Sequence, residues 1–461
     1  MSEHSHYTHM FQRAQPAGSR ARTLTLRGAP LVGNLFEFRN HRLALQLRVL
    51  DECGDLGRMR LGPIPVWAVS SAELAHEILV EHADAFVKSR GLGKIARPML
   101  GDGLLTSEHE LHRQQRKLIA PAFSHRRIGA YASTMAELTE RAQAALDDGA
   151  VVDVAHEMMR LTLAIVGKTL FDADVSCEAD DVGAAITAAN HYVSEQVTRL
   201  PMPIWLPLKR NRDARRAIAT IDAIIYRLIA ARRAAGVDLG DVLSTLVMAR
   251  DEVTGEGMPD RQIRDEAVTL FLAGHETTAN ALAWSLYLLG RHPEVAARLA
   301  AESRAVLGGR SPTMDDLPRL PTALMILKET MRLYPPAYMV GRQAERDVTI
   351  GAAKLRAGDT IFVNIYAMHR RADYFEAPHE FRPERFAPER EKLLLRGAYL
   401  PFGGGPRICI GNHFALMEGQ LILAALAQRL RFVPLDEREV VPEPLITLRP
   451  KGGLRMRIER I

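Results

Sequence analysis

The sequence predicts a mostly α-helical protein with a minor β part, and three observations carry that expectation. From Ala72 to Leu333, apolar residues recur at three- and four-residue spacing in a stretch rich in Ala, Leu and Arg, the signature of helices that bury one face. Period-two alternation is confined to Gly57–Ser70, to Val348–Tyr366 and to the tail from Val440 to Ile461, where successive side chains would face opposite sides of a strand. No repeat and no Gly/Ser- or Pro-rich linker divides the 461 residues. A single domain over 29–461 is therefore expected behind a polar, disordered segment at 1–28.

In chain order, Gly57 to Ser70 ends in Val66-Trp67-Ala68-Val69 and reads as a small sheet. The long helical section is broken at Pro121, at Pro201 to Pro207 and at Gly255 to Pro259. Asp260 can cap a helix running to Gly290, roughly 45 Å long at about 1.5 Å per residue. Another helix carries Glu329 and Arg332 and stops at Pro335-Pro336, since proline cannot continue it. Gly358-Asp359 marks a turn inside the second β section. After Gly411, Asn412 opens a helix with Phe414, Met417, Leu421 and Leu423 at apolar positions.

Composition excludes several functions. With 47% hydrophobic and 25% charged residues the chain can bury a large core. The net charge of +5 comes from bases interleaved with acids, as between Arg261 and Glu266, so no nucleic-acid stripe is expected. Three cysteines, Cys53, Cys177 and Cys409, cannot form a disulfide framework and fit a reducing compartment. No stretch resembles a signal peptide or membrane anchor, so a cytoplasmic protein is expected.

The segment Pro401-Phe402-Gly403-Gly404-Gly405-Pro406-Arg407-Ile408-Cys409-Ile410-Gly411 is a loop that lets backbone approach something flat, because glycine removes side chains and permits positive φ. Cys409 stands just before a helix, where exposed N–H groups and the dipole favour a thiolate. Arg407 is placed to meet a carboxylate. In Ala273-Gly274-His275-Glu276-Thr277-Thr278 a mid-helix glycine, costing about 1 kcal/mol relative to alanine, is followed by an acid and a hydroxyl, the pair suited to proton delivery. Read without context, Thr277 could equally bond back to a carbonyl one turn earlier. A zinc-protease H-E-x-x-H reading fails: the second histidine would fall at Ala279, and for His76-Glu77 and His156-Glu157 at Val80 and Arg160.

Phe402 through Gly411 resembles the haem-binding signature of the cytochrome P450 family. Ala273–Thr278 matches the family's A-G-x-E/D-T-T/S pattern, Glu329-Thr330-Met331-Arg332 its E-x-x-R, and Phe381-Arg382-Pro383-Glu384-Arg385-Phe386 its P-E-R-F segment. The four occur in the family's order. The resemblance implies the cytochrome P450 fold, with the haem buried between the long central helix and the cysteine-loop helix. It makes Cys409 the axial thiolate of haem b, and Phe402, Gly403, Arg407 and Gly411 the loop around it. Glu276 becomes the acid and Thr277 the oxygen-facing hydroxyl, while Gly274 opens space beside the iron. Arg385 joins Glu329 and Arg332 in a buried charge cluster. Arg116 and Arg342 match propionate contacts, and His112 stands where the family's W-x-x-x-R has tryptophan.

The activity so implied is a haem-thiolate monooxygenase inserting one oxygen atom from O2 into an apolar substrate. Motif wording favours a fatty acid or similar lipid, with terpenoid, steroid or macrolide as the alternative and a peroxygenase or non-turnover sensor behind both. The substrate pocket is expected to draw on Trp205, Ala273, Gly274, Met339, Val340 and Ile446. Without G-x-G-x-x-G or G-x-x-x-x-G-K-[ST] in the sequence, electrons are expected from a separate ferredoxin or flavodoxin with its NAD(P)H reductase. Arg113, Lys117, Lys392 and Arg396 are the candidate docking residues.

Overall fold

The structure, a computed structural model, describes residues 24–198, 202–250 and 255–461. Its longer helices are α1 (Arg42–Cys53), α2 (His109–Ile119), α3 (His125–Ala144), α4 (Val154–Phe171), α5 (Ala179–Thr198), α6 (Lys209–Ala235), α7 (Asp260–Arg291), α8 (Pro293–Leu307), α9 (Pro321–Leu333) and α10 (Asn412–Ala427). The breaks anticipated at Pro121 and before Pro259 are present: Ala120–Phe123 is a 3-10 turn, and Gly255 to Pro259 leads into α7 without helix. Met202 to Leu208 is non-helical, while position 201 lies outside the described residues.

Five strands form a mixed sheet: β1 (Leu56–Leu61), β2 (Ile64–Val69), β3 (Phe86–Lys88), β5 (Val340–Ala344) and β8 (Thr360–Val363), in the order β1-β2-β8-β5-β3. Val151–Asp153 is β4; it lies beside β12 (Arg455–Arg460), whose other neighbour is β9 (Leu430–Pro434). Two hairpins complete the β part, β6 (Val348–Ile350) with β7 (Ala353–Leu355), and β10 (Pro442–Pro444) with β11 (Leu448–Pro450). Strands β3, β4, β5 and β9 were not anticipated. At three to five residues each, they are too short to set up a readable alternation.

The boundary expected at residue 28 needs correction. Residues 1–23 lie outside the described residues, but the segment after them is ordered: Arg58 donates its N–H to the Leu24 carbonyl, Leu26 donates back to Arg58, and Leu26 is buried. An apolar residue at 26 with a strand edge to pair with is enough to fix it.

Helix α7 is the axis of the molecule, and α4, α6, α9, α10, β9 and β11 pack on it. Asp260 does not cap it. The N-cap position is Pro259, and Asp260 sits in the first turn, held by Arg233 at 2.6 Å. Trp284 is fully buried and stacks on Tyr334 with ring centroids 4.0 Å apart. A Cβ on Gly274 would lie 3.1 Å from Val166 Cγ2, so this glycine lets α4 cross α7 closely. The burial that runs along α7 is interrupted at Leu272, Ala273, Gly274 and Thr277, which gives one stretch of the helix an accessible face.

Candidate active site

The cysteine loop turns back on itself through two glycines. Gly403 has φ 71° and Gly405 φ 67°, and a Cβ on Gly405 would lie 1.8 Å from the Leu79 carbonyl oxygen. The turn is closed by the Cys409 N–H donating to the Phe402 carbonyl at 3.0 Å and the Ile408 N–H donating to Gly405 at 3.1 Å. Gly411 is the N-cap of α10 with an ordinary negative φ of −93°. Cys409 keeps accessible surface. Protein packed around it pushes the thiol above its ordinary value, while a hydrogen bond from the Gly411 N–H and the Arg116 guanidinium pull it down by less. The helix terminus alone therefore does not hold a thiolate here; a coordinated metal, which deprotonates its thiol ligand outright, would complete it.

Beside the loop lies a concentration of buried positive charge. His112 is buried and held down to about 3, first by desolvation and then by Arg407, Lys88, Arg116 and Arg342, four cations acting on one imidazole. Arg342 is lowered to about 10 and Lys88 to about 7, in both cases chiefly by burial with Arg407 adding to it. Arg116 donates to the Ile408 carbonyl at 2.8 Å, which ties α2 to the cysteine loop. Glu108 pairs with Arg407 and accepts the Lys88 N–H at 2.8 Å. The other acid acting on Lys88, Glu266, is itself pushed up to about 8 by burial. The cluster thus keeps a positive excess, and buried cations are costly without anions.

On α7, Thr277 Oγ1 donates to the Ala273 carbonyl at 2.9 Å, the backbone bond that its position one turn on allows, while the residue stays partly accessible. Glu276 points elsewhere. It is 6% exposed, and its Oε1 accepts from Asn190 Nδ2 of α5 at 2.6 Å and from Thr447 Oγ1 between β10 and β11 at 2.6 Å. Burial raises its carboxyl above the ordinary 4.5, and these two donors and Arg449 only partly offset that. His275 is fully buried and lowered to about 4 by desolvation, with Nδ1 2.6 Å from the Phe271 carbonyl. It is a core histidine.

The chain matches the family described as "Cytochrome P450" over residues 25–455. It is 38% identical to cyclooctatin synthase of Streptomyces melanosporofaciens, over 96% of each chain. The chain belongs to the cytochrome P450 family. It is also 37% identical to cyclooctat-9-en-7-ol 5-monooxygenase of the same organism, over 88% of each chain. Pentalenene oxygenase of Streptomyces avermitilis is 32% identical over 93% of this chain and 95% of its own. The crystal structure of the cytochrome P450DA heme domain superposes with a TM-score of 0.86 at 28% identity, covering 95% of this chain and 97% of that one.

As a P450 the protein is a haem-thiolate monooxygenase, and its own residues fit that group. An accessible cysteine on a glycine loop, an accessible strip of α7 and a positively charged buried cluster match the sulfur ligand, the face and the two carboxylates that a haem needs. Lys88 and Glu108 belong to this cluster and were not anticipated, since nothing local in Phe86-Val87-Lys88-Ser89 or in Ser107-Glu108-His109 marks them.

The P450's Glu329 and Arg332, both fully buried, form a paired ion bridge at 2.7 and 2.8 Å, and Arg385 Nε reaches Glu329 at 3.3 Å. Arg332 also donates to the carbonyls of His369, Pro378 and Glu380, so the cluster pins the irregular chain that leads to the cysteine loop. Of the pocket residues, Ala273 is exposed on the α7 strip, and Met339, Val340 and Ile446 pack partly buried against the cores. Trp205 does not join them. It is 69% exposed on the surface connection between α5 and α6, where Arg215 donates to its carbonyl. A large apolar side chain in a proline-rich stretch reads as lining but here faces solvent.

Proposed function

We propose that this P450 hydroxylates a terpenoid, with Cys409 holding haem b, O2 as co-substrate and electrons arriving one at a time from a separate ferredoxin or flavodoxin served by an NAD(P)H reductase. The observation that carries the substrate class is that cyclooctatin synthase, cyclooctat-9-en-7-ol 5-monooxygenase and pentalenene oxygenase each align over 88% or more of the chain. These relatives favour the terpenoid alternative over the fatty acid suggested by motif wording. Apolar ligands suit apolar linings such as Met339, Val340 and Ile446.

When bound, the haem supplies oxygen activation, its thiolate ligand favouring O–O cleavage. The chain's own residues supply the rest. Arg116, Arg342 and Arg407 would hold the propionates of a bound haem, and neutral His112 would donate a hydrogen bond to them. Ala273 and Thr277 present the accessible face of α7 to the substrate. Thr277 keeps its hydroxyl hydrogen on the Ala273 carbonyl, so its oxygen is free to accept a hydrogen bond, and Glu276 is the acid that supplies protons to the site.

The test is an optical titration of the ferric protein with cyclooctat-9-en-7-ol, pentalenene and palmitic acid. A saturable low-to-high spin change with a terpenoid and none with palmitate is expected. A change with palmitate alone would return the fatty-acid reading.

A further inference from the structure

Glu276 is the meeting point of three elements. Asn190 comes from α5, Thr447 from the turn between β10 and β11, and the carboxyl from α7. Both donors converge on one oxygen, Oε1, at 2.6 Å. Thr447 is itself held by Asn280 Nδ2 at 3.2 Å, one turn along α7. The turn that carries Thr447 is anchored from outside, because Arg42 and Tyr338 both donate to the Leu445 carbonyl. The remaining charged or titratable neighbours are Arg449 of β11, which bonds Glu443 and lies 3.1 Å from His191 Nε2 of α5, and His275 on α7.

In a carboxylic acid the carbonyl oxygen accepts hydrogen bonds far better than the hydroxyl oxygen. Two donors on Oε1 therefore leave the acidic proton on Oε2. We propose that Asn190 and Thr447 are positioning residues that fix the proton of Glu276 on Oε2 and make its delivery depend on α5 and the β10–β11 turn both being in place. This rests on Glu276 being the acid of the proposed function. It assigns the residues that aim it. Because the β10–β11 turn also carries the pocket residue Ile446, a cavity left open by that turn would lose the aim of the acid along with the substrate contact, so proton delivery waits for closure. The two donors have a second effect. They stabilise the carboxylate left after the proton departs, so removing either makes Glu276 a weaker acid.

The experiment is infrared difference spectroscopy of the haem-loaded protein, in the protonated carboxyl C=O region, as a function of pH. Glu276→Gln minus wild type assigns the Glu276 band. A hydrogen bond accepted by a carbonyl oxygen weakens its stretch. Thr447→Val and Asn190→Leu are therefore expected to move the band to higher frequency and to raise the pH at which it vanishes. Thr447→Ser should leave it in place. Asn280→Ala, which removes only the support of Thr447, should give a smaller shift of the same sign and serves if a larger substitution loses the thiolate-type CO spectrum. No Glu276 band at neutral pH, or a band that none of these variants moves, overturns the proposal. The underlying reading is tested separately by product formed per electron pair. If Glu276→Gln lowers coupling while the band is unmoved by its neighbours, only the positioning role falls. If Glu276→Gln leaves coupling unchanged, Glu276 is not the acid, and the inference falls with it.

Discussion

Glu329 shows how much one buried side chain can organise. Its two oxygens take both donors of the Arg332 fork, the Arg382 N–H at 2.8 Å and Arg385 at 3.3 Å, and Glu329 and Arg332 have no exposed surface. Removing one partner of such a pair strands a charge, a loss of about 3–5 kcal/mol. Glu329→Gln should fall at the lower end of that range, since Arg332 keeps its carbonyl acceptors. Urea unfolding of the haem-loaded protein measures it, and a loss below about 0.5 kcal/mol, the range of ordinary surface changes, would refute the account. Gly405 makes a sharper case. Its positive φ and the 1.8 Å approach to the Leu79 oxygen leave no room for a methyl group, so Gly405→Ala should fail to retain haem, read as loss of the Soret band. At this scale the sequence was informative: Cys409, Arg407, Glu329, Arg332 and Arg385 all stand in motifs. It did not show that the lost side chain of Gly274 lets α4 pack closely, and it misjudged Trp205, whose exposure depends on the path of a surface connection.

The loop before α2 and the first half of α7 form a latch that no local pattern announces. Asp265 accepts the Asp102 N–H at 2.9 Å, and Glu266 accepts the Leu104 N–H at 2.9 Å. Lys88 Nζ donates to the carbonyls of Leu104 and Ser107. The two carboxylate contacts join residues more than 150 positions apart, which is why the long helix from Asp260 was legible in periodicity while this join was not. Glu266 is raised from 4.5 to about 8, chiefly by burial. A raised carboxyl contributes stability in full below its unfolded value and loses it as pH rises through the folded one, here between 4.5 and about 8. Lys88 is lowered from 10.5 to about 7, so its contribution is full above 10.5 and lost as pH falls through 7. The two slopes oppose each other and set a minimum between about pH 7 and 8. Glu266→Gln keeps an oxygen for the Leu104 N–H and removes the ionisation. Its melting temperature should match wild type near pH 4.5 and exceed it at pH 8, and equal melting temperatures at pH 8 would show that the carboxyl ionises without cost.

At the scale of the whole molecule, the proposed function would bring the electron partner to the surface beside the cysteine loop, where several bases are exposed. Helix α2 carries Arg113 and Lys117 exposed beside Arg116, which is bonded to the cysteine-loop backbone, and Lys392 and Arg396 are exposed just before that loop in the chain. Attraction between exposed charges raises the rate of encounter more than the strength of binding, and salt screens it over about 8 Å at physiological ionic strength. Reversing all four residues to Glu should therefore slow reduction by an acidic [2Fe–2S] ferredoxin at low salt and flatten the salt dependence, with the ferric spectrum unchanged. The four should not contribute equally. Arg113 is already paired with Glu110 on the next turn, whereas Lys117 has no ion pair among the described residues. Lys117→Glu alone should thus slow reduction more than Arg113→Glu. Stopped-flow reduction across an ionic-strength series decides it, and four reversals that leave both rate and slope unchanged would move the docking face elsewhere on the molecule.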